Sequence, residues 1–188
     1  MLRRTLIGLL ATTAMTATLV AGTAGVTAPS ARADVGVAVV TITYNDSRAG
    51  EFKDAVARGI AVWNASVTSV RIQKAATGAR ADVQVIADNG WPRATLGPVR
   101  PGGSGTVWFG REAVVDGYDV VRIAAHEFGH ILGLPDRKPG PCTSLMSGSS
   151  AGVACTNPNP NATEKSRVQS LYAGSVAPQA SAGVVVVG

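Results

Sequence analysis

Two histidines and a glutamate stand together in His126-Glu127-Phe128-Gly129-His130, and the chain of 188 residues has no other histidine. Residues four apart on an α-helix share a face, so the imidazoles of His126 and His130 can meet at one ion. Glu127, beside the first of them, is placed to take a proton from water held there. This is the pattern of a catalytic zinc site, in which zinc keeps about three protein ligands at roughly 2.0 to 2.2 Å and leaves one position open. Asp136 is the favoured third ligand. Gly133 ends the helix three residues after His130, because glycine accepts the left-handed conformation just past a helix end, and Pro135 keeps the helix from resuming. The chain then turns back and brings Asp136 within reach of the metal. The plain alternative is an ordinary helix with two surface histidines. In a chain so poor in histidine, H-E-x-x-H arises by chance in roughly one sequence in a few hundred.

The elements that must hold these residues are readable from periodicity. Tyr118 to Leu132 is the active-site helix, with Val120, Ile123, Ala124 and Phe128 among its apolar positions. Val35 to Tyr44 reads as a strand buried on both faces, ended by a turn at Asn45-Asp46-Ser47. Phe52, Val56, Ile60 and Trp63 recur at helical steps, which predicts an amphipathic helix over 51–65. Val70 to Gln73 and Asp82 to Ala87 read as further strands, and their alternation with a helix points to parallel pairing. The Gly-, Pro- and Arg-rich stretch 89–105 is a long loop with one short strand, Arg93, Ala94, Thr95 and Leu96, a candidate edge for an extended substrate. Thr106 to Phe109 is the last strand, and Asn161 with Glu164 forms a capping box that opens a final helix to about Leu171. The expected class is α/β (α+β): a twisted, mostly parallel sheet with an amphipathic helix and the active-site helix, and a loop and C-terminal helix below the cleft.

Composition bounds the partners. Arg3 and Arg4 precede an apolar run from Leu6 to Val20, and Ala31-Arg32-Ala33 has the form of a secretory cleavage site, so residues 1–33 read as a signal peptide rather than an anchor. Its removal takes three arginines and no acid, and the net charge of +5 falls to +2. The remaining basic residues are scattered, which argues against nucleic acid, and no later stretch is apolar enough for a membrane span. The expected organisation is a catalytic domain over 34–174, a tail over 175–188 without regular structure, and a monomer outside the cell. In such a chain Cys142 and Cys155 most simply form one disulfide; a pair of zinc-binding thiolates would want closer spacing and further ligands.

His126, Glu127, His130, Gly133 and Asp136 together spell H-E-x-x-H-x-x-G-x-x-D, which resembles the metzincin motif with aspartate as third ligand, as in the snapalysin-type small neutral metalloproteases. The likeness covers roughly residues 36 to 174 and includes Trp63-Asn64, Gly140-Pro141-Cys142, Leu145-Met146-Ser147-Gly148, Cys155-Thr156-Asn157 and Ser166-Arg167-Val168. It is weakest over 89–105. The resemblance implies a metzincin-like fold, one zinc, Cys142–Cys155 as the family disulfide, and Met146 as the Met-turn residue under the metal. From the residues alone Met146 is only a core methionine. It also implies cleavage before an aromatic residue, and a calcium site at Tyr118-Asp119-Val120-Val121, where Asp119 matches but Val121 replaces a threonine. The family's tyrosine two residues after the aspartate ligand is Lys138 here, which makes Lys138 the candidate donor to the transition state. The expected function is a secreted zinc-dependent endopeptidase. The alternative is a zinc-stabilised secreted binding protein that has lost proteolysis, which Lys138 favours and Glu127 opposes.

Overall fold

Apolar and polar residues alternate along Val40-Thr41-Ile42-Thr43-Tyr44, the pattern of a strand with one face in a core. In the computed structural model, which describes residues 38–173 and 184–188, this stretch opens strand β1 (Val40–Arg48). Ile42, Tyr44 and Asp46 are buried while Thr41 and Ser47 are exposed, so β1 has one wet face rather than the two buried faces expected. Nor does it end at Tyr44. The expected turn at Asn45-Asp46-Ser47 is instead an irregularity inside the strand, where the register against its neighbour shifts between Asn45 and Arg48. The Asn45 side chain accepts a hydrogen bond from the Ser47 amide at 2.8 Å, the local bond that makes asparagine a turn former. Pairing on either side overrides it. The leader expected over residues 1–33 lies outside the described residues.

A 3-10 turn (Gly50–Phe52) leads into helix α1 (Lys53–Ser66), and β2 (Val70–Lys74) returns parallel to β1 with Ile42 opposite Ile72. Strand β3 (Val83–Asp88) flanks β1 on its other side, also parallel. Beyond it β5 (Gly105–Gly110) runs parallel to β3, and β4 (Arg93–Leu96) joins β5 antiparallel. A last strand, β6 (Val184–Val187), pairs antiparallel with β4, which gives the order β2-β1-β3-β5-β4-β6. The expectation of a tail without regular structure does not hold for these residues. Four consecutive β-branched residues facing an open strand edge find the one partner that satisfies their backbone. The rest of the tail, 174–183, lies outside the described residues.

Two helices follow β5. The short α2 (Arg111–Val115), which sequence periodicity did not show, is five residues long, too few for a helical repeat to stand out. Helix α3 (Val120–Ile131) is the predicted active-site helix, and its side chains from Val121 to Ile131 are all buried. After a 3-10 segment (Leu145–Ala151), helix α4 (Ala162–Tyr172) begins with the predicted capping box, in which Asn161 and Glu164 each accept from the other's backbone amide. Tyr172 donates its hydroxyl to Val99 O at 2.7 Å, which pins α4 to the loop after β4.

Helix α3 packs against α1 and against strands β4 and β5, while α1 packs on β2. Trp63 of α1, fully buried, donates its indole N–H to Ala125 O at 2.7 Å. Gly59, one turn earlier, sets the spacing: a Cβ there would come within 2.6 Å of Ala124 Cβ and 2.7 Å of Ala125 N. The helix that carries the histidines is therefore fixed by a backbone-close crossing, and small residues at Gly59, Ala124 and Ala125 are what permit it. Gly59→Leu should destabilise the protein by about 1 to 3 kcal/mol through overpacking. The check is urea unfolding, where the midpoint should fall at unchanged slope; parental stability would show that α1 and α3 separate freely.

Candidate metal centre

The site is built from the C-terminal half of α3 and the two loops that follow. Helix α3 ends in a Schellman arrangement: Gly133 takes a φ of +96°, its amide donates to His130 O at 2.8 Å, and the Leu134 amide donates to Gly129 O at 2.9 Å. The loop after β4 adds a second donor to His130 O, from Gly97 N, and meets one further terminal carbonyl, Ile131 O, from Val99 N. The helix end is thus buried with its backbone satisfied. The same cap turns Leu134 O toward His130, whose Nδ1 lies 2.7 Å from it.

His126 is oriented in the same manner from the other side, with Nδ1 at 3.0 Å from Leu145 O. A backbone carbonyl only accepts, so each Nδ1 must carry the proton and, in the neutral ring, each Nε2 presents a lone pair. The two Nε2 atoms face one another at 3.0 Å, and Asp136 Oδ1 lies 3.2 Å from the first and 3.5 Å from the second. Three acceptors therefore converge, and buried Asp136 Oδ1 has no hydrogen-bond donor. A tetrahedral ion with bonds of roughly 2.0 to 2.1 Å sets its ligands about 3.3 Å apart, which matches this spacing. Among the described residues this is the one group of three or more His, Cys, Asp or Glu donors gathered closely enough to hold a metal. The predicted ligand set is brought together, and the residues fit a metal ion of the zinc type.

Charges around the centre are arranged for a cation. Without an ion, burial pushes His130 down to about 4, so its imidazole is neutral. Burial acts to lower His126 as well, but Asp136, Glu127 and the Leu145 carbonyl outweigh it and raise it. For Asp136 burial acts upward, and His126, His130 and Lys138 together hold it below the usual carboxylate range. Glu127 is 1% exposed, Oε2 has no partner, and burial pushes its carboxyl up to about 8. A bound dication inverts such preferences and favours the carboxylates.

Behind the ligands stands a polar scaffold that sequence reasoning missed. Glu164, third residue of the α4 capping box, accepts from Ser144 Oγ (2.7 Å), Leu145 N (3.2 Å) and Met146 N (2.9 Å) as well as from Asn161 N (2.7 Å). It clamps the turn whose Leu145 carbonyl orients His126. Arg122, buried on α3, reaches the same turn through Ser144 O (2.9 Å), Ser147 Oγ (3.0 Å) and Asn157 O (2.6 Å). An arginine inside the apolar run Val120 to Ala125 was the available signal, since a buried guanidinium needs acceptors. Met146 is buried under α3, where a Cβ on Gly129 would meet its Sδ at 2.5 Å. The Cys142–Cys155 disulfide is formed and closes the loop that holds this turn.

The remaining predicted residues sit close by. Lys138 Nζ lies 3.5 Å from Asp136 Oδ2, so the ammonium borders the centre. Asp119 caps α3 by accepting from Arg122 N at 2.8 Å. Arg93, Ala94, Thr95 and Leu96 form β4, the strand nearest the centre, with Arg93 paired to Asp88 at 2.8 Å and stacked over Trp108. Trp91, not singled out beforehand, packs edge-on against Tyr118, and a small cavity of ≈ 30 Å³ opens between them and His126, Glu127 and Ile123.

Comparison with known proteins gives one consistent answer. An extracellular small neutral protease of Streptomyces sp. (strain C5) is 41% identical over 140 residues, covering 74% of this chain and 59% of that protein. One from Streptomyces caespitosus is 40% identical over 134 residues, 71% of this chain and 98% of that protein. With the Streptomyces lividans protein the match spans 58% of the relative, so the chain corresponds to under two-thirds of the length of two of these proteins. The crystal structure of archaemetzincin from Methanopyrus kandleri aligns over 74% of this chain and 98% of its own with a TM-score of 0.40 at 16% identity, too distant a likeness to bear on the site. The family model for the Streptomyces extracellular neutral proteinases matches residues 39–175, and with the motif residues and their geometry in place the chain belongs to that family, M7.

Proposed function

We propose that this protein is a secreted zinc-dependent endopeptidase that hydrolyses peptide bonds in extracellular proteins. The observation that carries the reading is the convergence of His126 Nε2, His130 Nε2 and Asp136 Oδ1, three acceptors with no donor among them, beside a buried carboxylate with a free oxygen. Bound there, zinc supplies Lewis acidity toward the scissile carbonyl and toward water. His126, His130 and Asp136 hold it, with both imidazoles locked in one tautomer by Leu145 O and Leu134 O. Glu127 takes the proton of the attacking water and delivers it to the leaving amine. The burial that raises this carboxyl is opposed by a bound dication, which favours the ionised form that a base needs.

The substrate lies extended along β4, adding its backbone to that edge. An aromatic side chain just after the scissile bond would point toward Ala113, Tyr118 and Ile123 beside Glu127, where the cavity of ≈ 30 Å³ must widen to admit a ring. Residues 1–33 are the export signal, and no helix among the described residues is long and apolar enough to cross a membrane. The relatives' names, extracellular small neutral protease, agree with this destination. Lys138 has two roles open to it: donor to the oxyanion, or charge partner of the ligand Asp136.

Glu127→Gln is expected to retain metal while hydrolysis falls by at least about 10²-fold, because the amide cannot take the proton. Elemental analysis together with a casein assay tests this; activity within tenfold of the parent would remove Glu127 as base. No hydrolysis by the zinc-loaded parent would leave the binding-protein reading.

Lys138→Ala separates the two roles of the lysine. A donor to the oxyanion is worth about 10² to 10³ in kcat, whereas loss of a charge partner alone would weaken metal retention and spare kcat at saturating zinc. Kinetics across a zinc titration distinguish them.

Glu164→Gln should loosen the turn that orients His126 and weaken metal affinity by roughly 10- to 100-fold, the usual effect of losing an outer-shell partner. Competition against a chelator measures it, and unchanged affinity would show that the Leu145 carbonyl is held in place without the carboxylate.

A further inference from the structure

Strand β6 lies on the edge where the proposed substrate would bind, and its details are those of a peptide in a groove. It runs antiparallel to β4 with Arg93 opposite Val187, Ala94 opposite Val186, Thr95 opposite Val185 and Leu96 opposite Val184. The next residue carries the pairing on: Gly188 N donates to Pro92 O at 2.9 Å, and the Trp91 indole donates to Gly188 O. This brings Gly188 to the catalytic carboxylate. A Cβ built on it would overlap Glu127 Oε1 and stand 3.3 Å from His126 Cδ2, and Gly188 joins Trp91, His126 and Glu127 in lining the cavity. A side chain on residue 188 would have to displace the tip of the Glu127 carboxylate. Residues 184–188 lie outside the stretch 39–175 that the family model matches.

We propose that Val184–Gly188 is an intramolecular occupant of the substrate groove, a strap that competes with peptide substrates for β4 and for the space in front of Glu127. The proposal rests on the protease reading of the site. Four consecutive valines suit it, because β-branched residues favour the extended backbone that strand addition requires. Glycine at 188 lets the backbone reach the carboxylate without displacing it. A tethered segment faces its site at an effective concentration of about millimolar, so even weak docking suppresses binding of dilute substrate. The strap is displaced by substrate rather than fixed, and its signature is a raised KM with unchanged kcat.

The experiment uses the full chain and two variants, Gly188→Val, which cannot seat without displacing the Glu127 carboxylate, and Val186→Asp, which places a charge opposite Ala94. Hydrogen exchange of the Arg93–Leu96 amides is followed in metal-free protein, and KM and kcat on a fluorogenic peptide in zinc-loaded protein. The probe added in trans is a synthetic Ser-Ala-Gly-Val-Val-Val-Val-Gly, amidated so that no terminal carboxylate is offered to the metal. Both variants should exchange these amides at least about tenfold faster than the parent. KM should fall by about fivefold or more at constant kcat, and the peptide should restore slow exchange and inhibit competitively. Parental exchange in both variants, with no binding of the peptide, would overturn the proposal, as would faster exchange with unchanged KM. If no form hydrolyses peptides, the protease reading fails and the inhibition with it, while the exchange data still show whether the strap docks.

Discussion

The structure depends on two hydrogen bonds from imidazole Nδ1 atoms to backbone carbonyls, His126 to Leu145 and His130 to Leu134. They fix which nitrogen of each ring carries the proton, and so they turn two lone pairs toward one point already faced by Asp136 Oδ1. Buried acceptors without a donor are unfavourable, and a cation relieves the conflict directly. Each loop around α3 can be understood by the carbonyl it delivers. The Schellman cap at Gly133 presents Leu134 O, and the turn at Leu145-Met146 presents Leu145 O under the joint hold of Glu164 and Arg122. Metal affinity is in this way linked to the folding of the two loops that follow α3.

The ligand set was legible because metal chemistry needs particular residue types at helical spacing, and because Gly133 announces both the end of the helix and the return of the chain. The main elements were legible too: α1 from Phe52, Val56, Ile60 and Trp63, α3 from its apolar run, and α4 from its capping box. What escaped was whatever depends on long-range partners. Asn45-Asp46-Ser47 carries a true local turn signal, and β3 pairing across it overrides that signal. Arg122 in its apolar run and Glu164 in its capping box give no sign of a shared target until the fold shows them both gripping residues 144–147. Trp91 gains its place only once Tyr118 and Gly188 are beside it.

The far edge of the sheet raises a different constraint. An open strand beside a cleft is a template for any extended chain, which serves a peptide-binding enzyme and endangers a secreted one. Antiparallel β4 differs from the four parallel strands in presenting that edge beside the metal centre, and β6 occupies it. In sequence the valine run falls within the tail over 175–188, expected to lack regular structure. Nothing local distinguishes a sticky terminus from a strand, because the strand exists only through its partner.

If the three convergent acceptors form one metal site, anomalous diffraction at the zinc edge from crystals of the zinc-loaded protein gives a single strong peak bonded to His126 Nε2, His130 Nε2 and Asp136 Oδ1 at about 2.0 to 2.2 Å, with both Nδ1 atoms still on their carbonyls. A peak elsewhere, or one reached through a flipped imidazole with Nδ1 on the metal, would contradict it.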